Sequence, residues 1–316
     1  MKLSVVSPFF NEEESIGQFL IELYKQLNNL TIDFEVILVN DGSTDSSLSV
    51  IKNLGLKQII VITLSKNSGH QTAIEVGYKY ASGDWVITLD SDLQHPPTEI
   101  LNMLNIAIEK KVDVVNAQRT NRDQDSKLKR VTALIFYKFI KKISKIEVEK
   151  NVADFRLISR KVVEVLNSLE EPKVFRLLIP RLGFTTVNHP FEVNPRFGGK
   201  PKYSIKKMLG LAADSAFSFG TLPLRAISML GLITVSLSIS YFSWIFYLYA
   251  TGKANTGWPS IMGAVLLLGG VQLISIGVIG EYIGRIFIEL KKRPRYNVSE
   301  EFSSENSEKR TGIHNL

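Results

Sequence analysis

Cysteine is absent from the 316 residues, which excludes disulfides and thiolate metal sites and fits a reducing compartment without requiring one. No internal repeat or low-complexity block interrupts the chain. No basic-aromatic recognition motif stands out either, so nucleic acid is not an expected partner. Charge is missing from two long stretches: between Arg225 and Lys253, and again between Lys253 and Glu281, there is no Asp, Glu, Lys or Arg. Each stretch exceeds the roughly 20 apolar residues that cross a bilayer core of about 30 Å. Two uncharged helices of that length would be unusual inside a soluble domain, so both are expected to span a membrane.

The charges that are present fall on either side of these stretches. The net charge of +7 suggests contact with anions, whether nucleotide, phosphate lipid or an acidic membrane. Lys200, Lys202, Lys206, Lys207 and Arg225 precede the first span, and Arg285, Lys291, Lys292, Arg293 and Arg295 follow the second. The connecting loop carries only Lys253. By the positive-inside rule both termini are cytoplasmic. Tyr241, Trp244, Tyr247, Tyr249 and Trp258 cluster towards the outer end, as an interfacial aromatic belt would. The first residues do not read as a cleaved signal, because Lys2 to Phe10 runs directly into an acidic segment.

The N-terminal half alternates strand and helix. Lys2 to Ser7 reads as a buried strand, and Asn11-Glu-Glu-Glu-Ser opens a helix with Ile16, Phe19, Leu20, Leu23 and Leu27 on one face. Strands are expected at 34–39, 59–64, 85–89 and 112–117, and helices after Ser68-Gly-His-Gln and from about Pro97 to Lys110. Ser43, Thr44 or Asp45 is placed to cap the helix after the second strand. This alternation predicts an α/β fold with a doubly wound, mostly parallel sheet, whose ligands lie beyond the carboxyl ends of the strands. Those ends carry Pro8 to Glu12, Asn40 to Asp45, Ser65 to His70 and Asp90 to Gln94.

Further on, residues 122–150 form a lysine-rich helical stripe, read either as packed on the sheet or as docked on anionic lipid. The expected organisation is a catalytic domain over 1–202, a juxtamembrane amphipathic segment over 203–225, two membrane helices within 226–290, and a cytoplasmic polar tail over 291–316. The tail is expected to be disordered after Val298.

Two carboxylates one residue apart, Asp90 and Asp92, stand where the apolar run Trp85-Val-Ile-Thr-Leu89 ends. Alternate side chains of an extended segment share a face, so the pair can offer oxygen ligands to one hard divalent cation. An acidic loop at a strand end is also an ordinary surface feature. His95 is less suited to such a cation than carboxylate oxygen. It is read, with His70 and His189, as structural or supporting.

The segments Pro8-Phe9-Phe10-Asn11-Glu12-Glu13, Val39-Asn40-Asp41-Gly42-Ser43-Thr44-Asp45, Asp90-Ser-Asp-Leu-Gln-His-Pro-Pro and Asp154-Phe-Arg-Leu occur in the order seen in family 2 glycosyltransferases. With the paired spans, the chain resembles the polyprenyl-phosphate hexose synthases of that family from residue 3 to about 290. The resemblance implies a GT-A-like domain that moves a hexose, glucose from UDP-glucose in the leading reading, onto undecaprenyl phosphate at the cytoplasmic face of an inner membrane, with inversion. It implies that Pro8, Phe10, Glu12, Val39 and Asp41 surround the base and ribose of a nucleotide sugar. It also implies that Asp90, Ser91 and Asp92 form the motif for Mg²⁺ or Mn²⁺, with Asp92 the principal ligand and Gln94 near the sugar. Arg119, Arg196 and Lys202 would meet phosphates, and Asp154 and Arg156 lie on the acceptor side. Asp154 is left as either a proton acceptor or an orienting residue. Relatives often carry Tyr where Phe10 stands, and Glu-Ser where Lys200-Pro201 stands.

Polyprenyl-phosphate mannosyl and aminosugar transfer are the nearest alternatives. A processive polysaccharide synthase would carry Gln-x-x-Arg-Trp, which this chain lacks. A noncatalytic membrane scaffold would not need the intact acidic motif. Homo-oligomers are compatible with the spans, although no heptad or small-residue pattern sets a number.

Overall fold

The computed structural model describes residues 1–120, 152–169, 174–193, 222–252, 257–291 and 294–304. Expectations for 122–150, for 203–221, and for Arg196 and Lys202 fall outside these residues. The chain divides into two compact units, one built on a sheet and one holding the two long C-terminal helices.

In the sheet unit, β1 (Lys2–Phe9), β2 (Asp33–Asn40), β3 (Ile59–Leu64) and β4 (Trp85–Thr88) are parallel. Helices α1 (Ile16–Leu27), α2 (Ser47–Asn53), α3 (His70–Tyr80) and α4 (Glu99–Lys110) alternate with them before β5 (Val114–Arg119). The predicted apolar stripe of α1 is buried: Ile16, Phe19, Leu20, Leu23 and Leu27 have no exposed surface. Each such side chain contributes roughly 1.5–3 kcal/mol of burial. Register aligns the strand ends, with Phe9 beside Asn40, Asn40 beside Thr63, and Val6 beside Thr88. The loops after β1 to β4 therefore open on one edge, as the parallel reading required.

The sheet is more mixed than expected. β6 (Val152–Ser159) runs antiparallel between β4 and β5, followed by α5 (Arg160–Ser168), the single turn α6 (Phe175–Leu178), a 3-10 turn (Ile179–Leu182) and β7 (Thr186–Phe191). The strand order is β7-β5-β6-β4-β1-β2-β3-β8. The last strand, β8 (Val298–Ser303), corrects the expectation of a disordered tail, because it pairs antiparallel with β3 along the sheet edge. Lys52 bonds Glu300 at 2.8 Å and lies over the Phe302 ring, while Ser65 N–H donates to the Asn297 carbonyl. These contacts anchor a polar strand that has little apolar surface of its own.

At the start of the parallel strands, the buried Glu35 carboxylate accepts from Lys2 Nζ at 2.7 Å, Ser4 Oγ at 2.5 Å and the Ser82 amide at 2.7 Å. Burial raises the Glu35 pKa, but these partners outweigh it and hold the carboxyl below its ordinary value. The group ties the starts of β1, β2 and β4 together, far from the loops at their other ends.

The second unit holds α7 (Leu222–Ala250) and α8 (Trp258–Leu290), with candidate spans Ile227–Leu248 and Gly263–Gly284. Both helices are long and apolar enough to cross a membrane. The hydroxyls of Ser228, Thr234, Ser236, Ser238, Ser240 and Ser243 each donate to the carbonyl four residues earlier. A serine-rich helix can thereby present no unbonded hydroxyl to an apolar medium.

Helix α3 sits so close to β1 that a Cβ built on Gly77 collides with Val6 Cγ1. Gly77→Ala is expected to cost about 1–3 kcal/mol through overpacking, seen as a lower midpoint in thermal unfolding. An unchanged midpoint would show that this contact has room to relax.

Candidate active site

The first two loops of the ligand edge are sewn together by side chains bonding to backbone. Asn11 Oδ1 accepts from Thr44 N–H at 2.8 Å, Ser43 Oγ accepts from Asn11 N–H at 3.0 Å, and Ser47 Oγ accepts from Glu12 N–H at 2.9 Å. Asp45 stands one residue before Ser46, the N-cap of α2, and bonds around it: Oδ1 takes the Ser47 amide at 3.1 Å, and Oδ2 takes the Glu13 amide. Glu12 turns its carboxylate to Ser15 Oγ at 2.8 Å.

Asp41, expected beside the nucleotide, is 4% exposed and also binds the next loop, its oxygens accepting from Ser68 N–H at 2.7 Å and Gly69 N–H at 3.0 Å. Burial pushes its carboxyl above the ordinary value despite those two bonds. Asp41 therefore fixes the loop before α3. Gly42 beside it has φ 73°, and a Cβ there would lie 2.7 Å from Asn67 N. Val39 is fully buried in the core, so its side chain is not part of an open surface, whereas Phe10 is half-buried at the edge. The Pro8 carbonyl accepts from Ser91 Oγ at 3.3 Å, joining the first loop to the acidic turn.

That turn is built over a buried imidazole. His95 has no exposed surface and stacks on Phe155 of β6 at 5.2 Å, with the Phe191 edge of β7 at 5.9 Å. Its Nδ1 accepts the Asp90 amide at 3.0 Å. Burial pulls its pKa below the ordinary value, and the facing Asp90 does not reverse this. A neutral ring that accepts at Nδ1 carries its proton on Nε2. That nitrogen lies 3.4 Å from Arg119 Nη2, so two donors face each other, and the buried Arg119 Nε has no hydrogen-bond partner. The arrangement favours an acceptor of negative charge.

Above the ring, Asp92 Oδ1 accepts from Gln94 N–H at 3.1 Å, and Leu93 is held at φ 62°, an uncommon conformation for a leucine. Asp90 Oδ1 is buried without a hydrogen bond and sits 3.4 Å from His70 Nε2. The same nitrogen is 3.7 Å from Asp154 Oδ2, while Asp154 Oδ1 is likewise buried and unbonded. His70 thus stands between the acidic turn and Asp154. No group of three metal-capable side chains occurs among the described residues. Asp90, whose Oδ1 is buried and unbonded, stands two residues from Asp92, and two such carboxylates suit a Mg²⁺-like ion that takes its remaining ligands from phosphates and water.

Sequence reasoning missed two residues. Gln71 donates to Asp154 Oδ2 at 3.1 Å and accepts from the Phe175 amide at 3.1 Å, linking α3, β6 and α6. Arg176 on α6 exerts the larger of two cationic influences on Asp154. Burial raises the Asp154 pKa, yet Arg176 and Arg156, followed by His70, bring the carboxyl below its ordinary value of 3.8. Arg156 is only 2% exposed, and its Nε donates to Asn116 Oδ1 at 2.5 Å. Neither Gln71 nor Arg176 lies in a recognisable motif, and only the topology brings them together.

Asp154 stabilises the fold once ionised. Its contribution is complete above about pH 4 and disappears as pH falls through the depressed folded value. The difference in Tm between the wild type and Asp154→Asn is expected to shrink as pH falls from about 6 to about 3. A constant difference across that range would contradict the depressed carboxyl.

The Glycosyl transferase family 2 profile matches residues 4–166, and that of the GtrB C-terminal hairpin matches residues 222–286. A bactoprenol glucosyl transferase of Shigella phage SfII is 41% identical over 300 residues, covering 94% of this chain and 97% of its own. An uncharacterized glycosyltransferase of Synechocystis is 39% identical over 304 residues, with 95% of each chain covered. Among solved structures, glucosyl-3-phosphoglycerate synthase from Mycobacterium tuberculosis, crystallised with Mn²⁺, UDP and phosphoglyceric acid, aligns with a TM-score of 0.48 at 20% identity, covering 68% of this chain and 75% of that one. With one profile spanning the strand-end motifs, another the apolar helix pair, and near-full-length identity around 40%, the chain belongs to glycosyltransferase family 2 and carries the GtrB C-terminal hairpin.

Proposed function

We propose that this enzyme transfers glucose from UDP-glucose to undecaprenyl phosphate, with inversion at the anomeric carbon. The observation that carries the reading is the Asp90–Asp92 turn, clamped over His95 at the shared strand edge. It lies in a chain matched end to end by proteins named bactoprenol glucosyl transferases. The two apolar helices support association with a membrane, where a polyprenyl acceptor resides. The charge flanks favour both termini, and with them the catalytic unit, at the cytoplasmic face of an inner membrane.

An oxygen of the lipid phosphate attacks the anomeric carbon and forms the new bond. The bond from that carbon to the diphosphate breaks, and UDP departs with the electron pair. Asp92, with Asp90 beside it, would hold Mg²⁺ or Mn²⁺, which when bound neutralises charge on the diphosphate. Arg119 donates from its unbonded Nε side to a diphosphate oxygen, and Arg196 and Lys202, outside the described residues, are assigned to the same phosphates by charge. Gln94 lies by the sugar, while Pro8, Phe10 and Glu12 border the nucleotide.

A phosphate monoester is largely ionised at neutral pH, because its second pKa is near 6, so the acceptor needs no base. A carboxyl held below its ordinary value is also a weak proton acceptor. Asp154 therefore orients the acceptor side through Gln71 and the two arginines.

Incubating the full-length enzyme with UDP- and GDP-sugars and either undecaprenyl or dolichyl phosphate tests the reading. A glucosyl lipid formed from UDP-glucose and undecaprenyl phosphate is expected; a mannosyl or aminosugar product would redirect the donor, and no glycolipid at all would refute transfer. Asp92→Ala is expected to lose at least about 100-fold in turnover, an effect of about 2.7 kcal/mol or more, with its unfolding midpoint retained. Full activity in that variant would remove Asp92 from the metal site. Chelation of divalent cations is expected to abolish turnover and added Mg²⁺ or Mn²⁺ to restore it; activity in excess chelator would rule out metal dependence.

A further inference from the structure

A cavity of about 230 Å³ opens between β5, β6, β7 and the segment running from α6 into the 3-10 turn. One part of its wall is cationic and polar, formed by Arg156, Arg176 and Asn116; another is apolar, formed by Ile179, Pro180 and Phe184. Asn116 is engaged by Arg156 Nε. Arg176 makes no hydrogen bond or ion pair among the described residues, although its charge is felt at Asp154. Arg176 thus brings a guanidinium with no ion pair among the described residues to the wall of a partly enclosed space. Such a space takes an anion, and the apolar wall gives that anion a hydrocarbon neighbour.

The cavity adjoins the reaction centre through defined bonds. Gln71 joins the Asp154 carboxylate to the Phe175 amide, one residue before Arg176, and His70 lies between Asp154 and Asp90. Its volume is below the roughly 300–1,000 Å³ of pockets that enclose a whole ligand, so it suits the head of a long amphiphile.

We propose that this cavity seats the phosphate and first prenyl unit of the acceptor lipid, with Arg176 as the phosphate-binding cation and Phe184 on the wall that receives the hydrocarbon. The assignment rests on the lipid-phosphate acceptor proposed above. Arg176 supplies a planar fork for the phosphate oxygens, and Arg156, braced by Asn116, supplies a fixed second charge.

The test uses the full chain in detergent, with farnesyl phosphate, farnesol and inorganic phosphate as probes, together with acceptor and donor KM values. Arg176→Gln is expected to weaken farnesyl phosphate binding and raise the acceptor KM by about tenfold or more, with the donor KM unchanged and the variant still folded at the assay temperature. Arg176→Lys is expected to fall between the two. Phe184→Ala is expected to weaken farnesyl phosphate while leaving inorganic phosphate unaffected. Equal binding of farnesyl phosphate to the wild type and Arg176→Gln overturns the proposal. Equal binding of inorganic and farnesyl phosphate to the wild type also overturns it, assigning the cavity to free phosphate. Glycolipid synthesis with an unchanged acceptor KM in Arg176→Gln defeats the subsite and leaves the transferase reading intact. Arg176-dependent farnesyl phosphate binding without any glycolipid product supports the subsite and defeats that reading.

Discussion

The bond from the Asp90 amide to the His95 ring is the constraint on which the acidic turn depends. A backbone amide needs an acceptor, and here the acceptor is an imidazole kept neutral by complete burial. Burial in turn needs Phe155 and Phe191, which arrive on β6 and β7. The parallel half of the sheet therefore provides the carboxylates, and the later strands provide the floor that holds them. A charged ring in this position would face both burial and Arg119, two effects that each favour its neutral form.

Charge around this floor is arranged in alternating fashion. Asp90 and Asp154 flank His70, Arg119 approaches His95 from another side, and Arg156 and Arg176 lie beyond Asp154. Several of these groups have oxygens or nitrogens that are buried and unbonded, namely Asp90 Oδ1, Asp154 Oδ1 and Arg119 Nε. Unmade bonds of this kind cost roughly 1–3 kcal/mol each, and more for charged groups. Their concentration at one sheet edge leaves that surface with polar groups unsatisfied at some expense in stability.

Local pattern made the first five strands and four helices legible, because each buries a face with its own periodicity. The four strand-end motifs were legible for the same reason: parallel register sends them to one edge. The antiparallel β6 was obscured because its partners, β4 and β5, are set by pairing across the sheet. Asp41 and Asp45 show the limit at the level of residues. Both stand in an acidic turn with similar local chemistry, and only the arrival of Ser68 and Gly69 makes Asp41 a brace for another loop. Gln71 and Arg176 were silent because their roles come from the meeting of α3, β6 and α6.

Strand β8 was the least legible, since Val298-Ser-Glu-Glu-Phe-Ser has the composition of a tail and pairs with a strand more than 200 residues earlier. Its position has a consequence for biosynthesis. The ribosome makes β3 early but releases its edge partner only after both apolar helices have been synthesised. Until then, the backbone groups along that edge of β3 must stay solvated or be shielded by a chaperone. The sheet of this enzyme is thus completed last by the segment translated after its hairpin, which makes synthesis of the two apolar helices an event within the folding of the domain.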